Sequence, residues 1–172
     1  LPLVAVWLLL GHFSQGSAQT LTIRAITWDV IGTDSNKPAT SGPDTFPVGV
    51  RVCNTGTADA LNLTATFSET GTNNTRISPV GSTVLSTASI PFGPTPPSPY
   101  GISPTPLVKP GNCFDFYYNV QIARVTAAHG TSQGYQIAVT SSNASSVSHS
   151  GTLYVEQLNS QGRNAITNIT GP

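Results

Sequence analysis

The chain has 172 residues, seven Lys plus Arg against seven Asp plus Glu, a formal net charge of zero and only 8% charged residues. Soluble domains average about 25% charged residues, so this chain takes its polarity from Ser, Thr, Asn and Gly instead. A neutral chain has no electrostatic footprint for a nucleic-acid backbone, and it holds no charge run, acidic tail or basic amphipathic helix.

Leu1 to Leu10 (LPLVAVWLLL) is a continuous apolar run, and small residues follow at Gly16-Ser17-Ala18. An apolar core of about ten residues before a small-x-small site reads as a secretory signal. It is shorter than the roughly 20 residues that a membrane-spanning helix needs. Residues 1–18 are therefore expected to be a signal peptide cleaved after Ala18. Its basic n-region and initiator Met are missing, so the natural start is expected upstream. Secretion makes Cys53 and Cys113 informative, because two cysteines allow one connectivity and an oxidising compartment bridges them. Closing a loop of about 60 residues is worth roughly 4 kcal/mol in the chain-entropy view.

Beyond the signal, apolar residues alternate with period two, which argues strands. Leu21 and Ile23 begin one alternation, and Ile26, Trp28 and Val30 continue it one residue out of step. Such a slip predicts a bulge, or a strand that changes sheets. Gly32 to Pro43 reads as loop. Phe46, Val48, Val50 and Val52 form the next inward face, ending in a Cys53-Asn54-Thr55-Gly56 turn whose Gly56 can take positive φ. Leu61, Leu63, Ala65 and Phe67 predict a third strand, and Thr83 to Ile90 a weaker one. Residues 91–110 carry eight of the fourteen prolines and read as an extended surface loop.

Lys109-Pro110-Gly111 fits a type II turn feeding a strand with Phe114, Phe116, Tyr118, Val120 and Ile122 inward. Tyr135, Ile137 and Val139 mark another strand, and Leu153 with Val155 the last. The polar segment 159–172 reads as a linker or the start of further sequence. About seven strands within residues 20–158 predict an all-β, immunoglobulin-like sandwich. Cys53 is out of phase with the inward valines and Cys113 with the inward aromatics. The bridge is thus expected on the rim or outer face, between neighbouring strands of one sheet, unlike the core-crossing bridge of antibody domains.

The run Val50-Arg51-Val52-Cys53-Asn54-Thr55-Gly56, continuing through Thr57-Ala58-Asp59-Ala60 to Leu61-Asn62-Leu63-Thr64, resembles the strand–NTG–turn–strand signature of the bacterial conserved-repeat domains (domain of unknown function eleven). Lys109-Pro110-Gly111 followed by Phe114-Asp115-Phe116 is similar to their PG-turn-strand element. The resemblance covers roughly Pro47 to Ser142. It implies an Ig-like module of a secreted or cell-surface protein, with a structural or adhesive role and no catalytic residues. The cysteine pair and the Pro-rich insertion depart from the commoner repeats.

Candidate chemistry is sparse, and no catalytic residue or cofactor is expected. His129 and His149 sit among polar residues and read as solvated loop histidines, short of the held acid–base pair that catalysis needs. No G-x-S-x-G element occurs. Asp29, Asp34, Asn36 and Asp44 form a weak calcium-ligand set, with turn chemistry as the favoured explanation. Four N-x-S/T sequons, at Asn62, Asn73, Asn143 and Asn168, are what chance yields in a chain this rich in Asn, Ser and Thr. The leading function is a non-enzymatic structural or adhesive module, partnered by neighbouring modules or surface components through strand edges. The alternative is a carbohydrate- or ligand-binding accessory domain of a secreted enzyme. Its site would use exposed aromatics, for which Tyr100, Tyr117 and Tyr154 are the candidates.

Overall fold

A computed structural model describes residues 19–34, 42–87 and 107–158. The expected signal segment, the prolines of 91–106, Tyr100, Asn36, Asn168 and the segment 159–172 lie outside the described residues, as does the side chain of Asp34. Among the described residues the chain forms eleven strands: β1 (Leu21–Ala25), β2 (Val30–Asp34), β3 (Thr45–Asn54), β4 (Ala60–Leu61), β5 (Thr64–Thr70), β6 (Ile77–Val80), β7 (Val84–Ser86), β8 (Leu107–Val108), β9 (Cys113–Ile122), β10 (Ser132–Thr140) and β11 (Val147–Leu158). One sheet has the order β1-β3-β9-β6 and the other β2-β11-β10-β5-β7, while β4 and β8 pair apart from both. A split first strand, with β2 parallel to β11 and the remaining pairings antiparallel, gives an immunoglobulin-like β-sandwich. The strands outnumber the expected seven because the first one splits and several are only two to four residues long.

The core follows from the alternations. Val48, Val50 and Val52 of β3 and Phe116, Tyr118, Val120 and Ile122 of β9 are buried. They face Ala65 and Phe67 of β5, Tyr135, Ile137 and Val139 of β10, and Leu153 and Val155 of β11 in one cluster. Phe67 joins the layers, stacked on Tyr135 at a centroid distance of 5.4 Å and tilted against Tyr118 at 5.4 Å. Aromatic pairs of this kind add about 0.5–1.5 kcal/mol beyond their burial.

Several sequence expectations need correction. The out-of-step first strand changes sheets, but its second half faces the other way from that expected. Ile31 and Thr33 are buried, while Trp28 and Val30 are exposed. Parallel pairing sets Ile31 beside Val155 on the core face and Val30 beside Tyr154 on the outer face. Gly32 and Thr33, expected in a loop, belong to β2. Leu61 is exposed, because Asn62 adopts φ 51 and resets the phase between β4 and β5. Leu107 and Val108, expected in the Pro-rich loop, form β8 opposite β4. The expected weak strand is β7, paired with β5, and β6 with Pro79 was not foreseen.

The disulfide lies where the alternation places it. Cys53 and Cys113 are directly opposite in the β3–β9 register, with Cα atoms 4.0 Å apart. Cys113 is exposed and Cys53 half-buried, on the outer face of the four-stranded sheet. The neighbouring turn is not made by a glycine at positive φ: Gly56 is absent from the glycines with that geometry. Asn54 makes it instead. Its side chain is buried; Nδ2 donates to Ala58 O and Val108 O, each at 2.8 Å, and Oδ1 accepts from Gly56 N at 3.0 Å. The Lys109-Pro110-Gly111 turn is as expected, with Gly111 at φ 77 and Asn112 N donating to Lys109 O at 3.0 Å.

Asn54→Ala would leave the Val108 carbonyl and the Gly56 amide without these partners. Buried groups deprived of partners cost about 1–3 kcal/mol each, so a loss of at least about 2 kcal/mol is expected in urea denaturation. Asn54→Asp keeps the acceptor but not the donors and is expected to fail as a rescue. A loss below about 0.5 kcal/mol for Asn54→Ala would count against this assignment.

Candidate functional site

The two outer faces carry different chemistry. On the four-stranded sheet, Arg51 and Asp115 face each other in register and form a two-pronged ion pair, Nε–Oδ1 2.7 Å and Nη2–Oδ2 2.6 Å. The Arg51 guanidinium holds the Asp115 carboxyl below its usual range. Tyr117, one of the expected ligand-binding aromatics, lies two residues farther along β9. Its ring covers Gly49 of β3, where an added Cβ would come within 2.7 Å of it, beside Ile26. Half its surface is thus taken up by ordinary cross-strand packing.

Tyr154 is on the other sheet. It projects from the outer face of β11 beside Val30 of β2, and both are exposed. Leu158 lies farther along the same face, over Gly32, where a Cβ would collide with it. Trp28 immediately precedes Asp29, the residue whose carbonyl accepts the Tyr154 N–H at 2.8 Å. It is 88% exposed, the most exposed large apolar side chain among the described residues. Tyr117 and Tyr154 therefore do not converge, whereas Val30, Tyr154 and Leu158 share the outer face at the β2 edge of the five-stranded sheet and Trp28 sits in the crossover two residues before Val30. The rest of the outward side of β11 is Ser148, Ser150, Thr152 and Glu156, alternating with the inward Leu153 and Val155.

The segment that presents Trp28 is held on both sides. Ile26 N donates to Gly49 O at 3.0 Å and Gly49 N donates to Thr27 Oγ1 at 2.8 Å. Asp29 Oδ1 accepts from the Tyr135 hydroxyl at 2.7 Å. Burial, reinforced by the Asp29 carboxylate, pushes the Tyr135 hydroxyl well above its ordinary range, so it stays a donor. Gly151 is required here, because a Cβ would meet both the Tyr135 ring and Asp29 Oδ2.

The histidines are not solvated loop residues, as the sequence suggested. His149 lies within β11, half-buried and tilted against the Tyr135 ring at 6.1 Å. His129 follows the 3-10 turn Thr126–Ala128, and its Nε2 is 2.8 Å from Thr33 Oγ1. Flanking serines and glycine hid both positions. Of the calcium candidates, Asp29 is bonded to Tyr135, and Asp44 accepts from Gln121 Nε2 at 3.1 Å and Arg124 Nε at 3.0 Å. Those two donors hold Asp44 below the usual carboxylate range. Asp44, Arg76, Gln121 and Arg124 line an open depression of about 410 Å³. No group of three or more His, Cys, Asp or Glu suited to a metal occurs among the described residues. Of the sequons, Asn143 is half-buried and bonds Asp59 O and Leu61 N, Asn62 donates to Ser142, and Asn73 is exposed.

Trp28 and Asn54 are the residues that sequence reasoning missed. The signal for Trp28 was present: Ile31 and Thr33 offer a second alternation, and only one of the two can face the core.

No family model and no curated protein matches the chain. Among solved structures it is similar to E. coli alpha-2-macroglobulin in its native conformation, with TM-score 0.47 and 8% identity over 80% of this chain. A Salmonella alpha-2-macroglobulin gives TM-score 0.48 and 8% identity over 80% of this chain. The secreted serine protease VesC from Vibrio cholerae gives TM-score 0.40 and 14% identity over 91% of this chain. The chain spans 7% of each macroglobulin and 27% of the protease. The likeness is one of fold alone.

Two hydroxyl deletions should separate the anchor from the core. Tyr135→Phe removes the donor to Asp29 and is expected to destabilise by about 1–2 kcal/mol. The Tyr118 hydroxyl is buried with no partner among the described residues, so Tyr118→Phe is expected to be neutral or slightly stabilising. Thermal unfolding of both variants checks this; the opposite ranking would refute the assignment.

Proposed function

We propose that this domain is a non-enzymatic structural or adhesive module of a secreted or cell-surface protein. One observation supports the reading: among the described residues, four of the acid and base groups that catalysis could draw on are engaged in holding the sandwich together. Asp29 serves Tyr135, Asp44 serves Gln121 and Arg124, Asp115 serves Arg51, and His129 serves Thr33. The Cys53–Cys113 bridge supports an extracytoplasmic setting, since exposed disulfides persist in oxidising compartments. No helix among the described residues is long and apolar enough to cross a membrane. The resemblance to conserved-repeat modules points the same way. Contact with neighbouring modules by strand addition would use the edge strands β1 or β2, five residues each. A second reading, a ligand-binding accessory domain of a secreted enzyme, draws on the exposed Trp28 edge.

Protein recovered from its source cells without reductant is expected in the extracytoplasmic fraction, beginning at Gln19, with Cys53 and Cys113 linked in peptide mass maps. Recovery from the cytosol with both thiols free would overturn the reading. Removing the bridge with a Cys53→Ser/Cys113→Ser double variant should cost up to roughly 4 kcal/mol while leaving the sandwich folded, because eight further register pairs join β3 and β9.

A further inference from the structure

We infer that the β2 edge of the five-stranded sheet, centred on Trp28, is a binding strip for a neutral, hydroxyl-rich polysaccharide. This rests on the adhesive part of the reading above and names its ligand class.

An indole 88% exposed leaves a large apolar area in water, which is unfavourable unless something covers it. Slack in the chain does not explain the exposure. The crossover on which Trp28 sits is tied to Gly49 in one sheet by two hydrogen bonds, and to Tyr135 and Tyr154 in the other. Such pre-organisation lowers the ordering cost of binding. Two residues past Trp28, Val30 of β2 lies beside Tyr154 of β11, and Leu158 follows on the same outer face, all three exposed. Then the surface changes to hydroxyls and an amide: Thr152, Ser150 and Ser148 on β11, with Gln136 of β10 opposite Ser150 and 3.4 Å from its Oγ.

A sugar polymer matches both parts. Its rings present apolar C–H faces that lie against flat aromatic side chains, and its hydroxyls exchange hydrogen bonds with Ser, Thr and Gln. Charge decides which polymer. Along the outward side of β11 the only ionisable groups are the Tyr154 phenol and the Glu156 carboxylate, while the Asp29 carboxylate is turned to the buried Tyr135 hydroxyl. Among the described residues the strip offers an acidic polysaccharide or nucleic acid no cation, and its Glu156 carboxylate repels both. A neutral polymer meets neither obstacle. A second protein is a poorer match, because the apolar strip is one or two side chains wide and standard interfaces cover about 800 Å² per partner.

The test uses the full chain with Trp7→Phe, which leaves Trp28 as its one indole. Titration with hydroxyethylcellulose, laminarin, galactomannan and dextran is expected to shift Trp28 fluorescence to the blue with at least one of them. Polygalacturonate should leave it unchanged. In affinity electrophoresis against the responsive polymer, Trp28→Ala should bind at least tenfold more weakly. Trp28→Phe should retain part of the affinity, and Tyr117→Ala on the opposite face should bind as the parent does. No shift with any of the four neutral polymers overturns the inference, as does a response to polygalacturonate alone or retardation indifferent to Trp28→Ala. A dimer in sedimentation that Trp28→Ala abolishes would overturn it in favour of a contact between copies. If Trp28→Ala still attaches to the envelope of source cells as the parent does, the adhesive reading stands and the glycan strip falls.

Discussion

The buried amide of Asn54 is the constraint on which one end of the molecule depends. Its side chain bonds Ala58, Val108 and Gly56, its backbone N–H donates to Asn112 O, and its carbonyl accepts from Gly111 N. Five hydrogen bonds on one residue thus join the end of β3, the β4–β8 pair and the Lys109-Pro110-Gly111 turn. These segments meet where β3 ends, and the backbone groups that the short β4–β8 ladder leaves over find partners on Asn54. The disulfide, one residue earlier, ties the same junction covalently. Its geometry is a product of the ladder: register pairs Cys53 with Cys113 and the pleat puts both on the outer face. Asn54 is one step on and faces inward, which is why it can reach Val108.

The edge formed by β1 and β2 is organised by the split first strand. β1 pairs with β3 in one sheet and β2 with β11 in the other, so residues 21–34 clamp the two layers. Two glycines make the clamp possible. Gly49 leaves room for Ile26 and the Tyr117 ring, and Gly151 for Tyr135 and the Asp29 carboxylate. The Tyr135–Asp29 hydrogen bond reaches from the core to the crossover, so core packing and the placement of Trp28 are coupled. The exposed residue inherits its rigidity from the buried one.

Where both layers bury one face of a strand, the alternation was legible. Val48, Val50 and Val52, then Phe116, Tyr118, Val120 and Ile122, could be read directly, and with them the outward position of the cysteines. The failures are local and have local causes. Between Ile26 and Thr33 two alternations compete, and hydrophobicity alone favours Trp28 and Val30; the parallel pairing with β11, a long-range event, selects Ile31 and Thr33. Leu61 reads as inward by phase, but the left-handed conformation of Asn62, which the sequence does not announce, leaves it exposed. His149, flanked by Ser148 and Ser150, reads as a loop residue in the sequence. Those serines are simply the outward residues of a strand. In a chain with so few charges, hydroxyls do on outer faces what Lys and Glu do elsewhere, and strand and loop come to look alike. The candidate site shares the ambiguity: Tyr154 is legible by phase, but the out-of-step alternation of Ile26, Trp28 and Val30 does not say which way Trp28 faces at the crossover.

Low charge also bears on how the module meets others. Charged side chains are a common protection for exposed strand edges, and here they are scarce. Length does the work instead. The four edge strands β1, β2, β6 and β7 have five, five, four and three residues, whereas β3, β9, β10 and β11 inside the sheets have ten, ten, nine and twelve. Pro79 further blunts β6, since proline lacks the N–H an added strand would need. Edges this short give an incoming strand few hydrogen bonds and little to fix its register. Recognition by strand addition is correspondingly weak, and specificity has to come from a face. On the outer faces among the described residues, the place with large side chains, fixed backbone and no cation is the β2 edge of the five-stranded sheet. On the proposed reading, the same neutrality that gives a phosphate backbone little to pair with also narrows the chemistry this surface can bind.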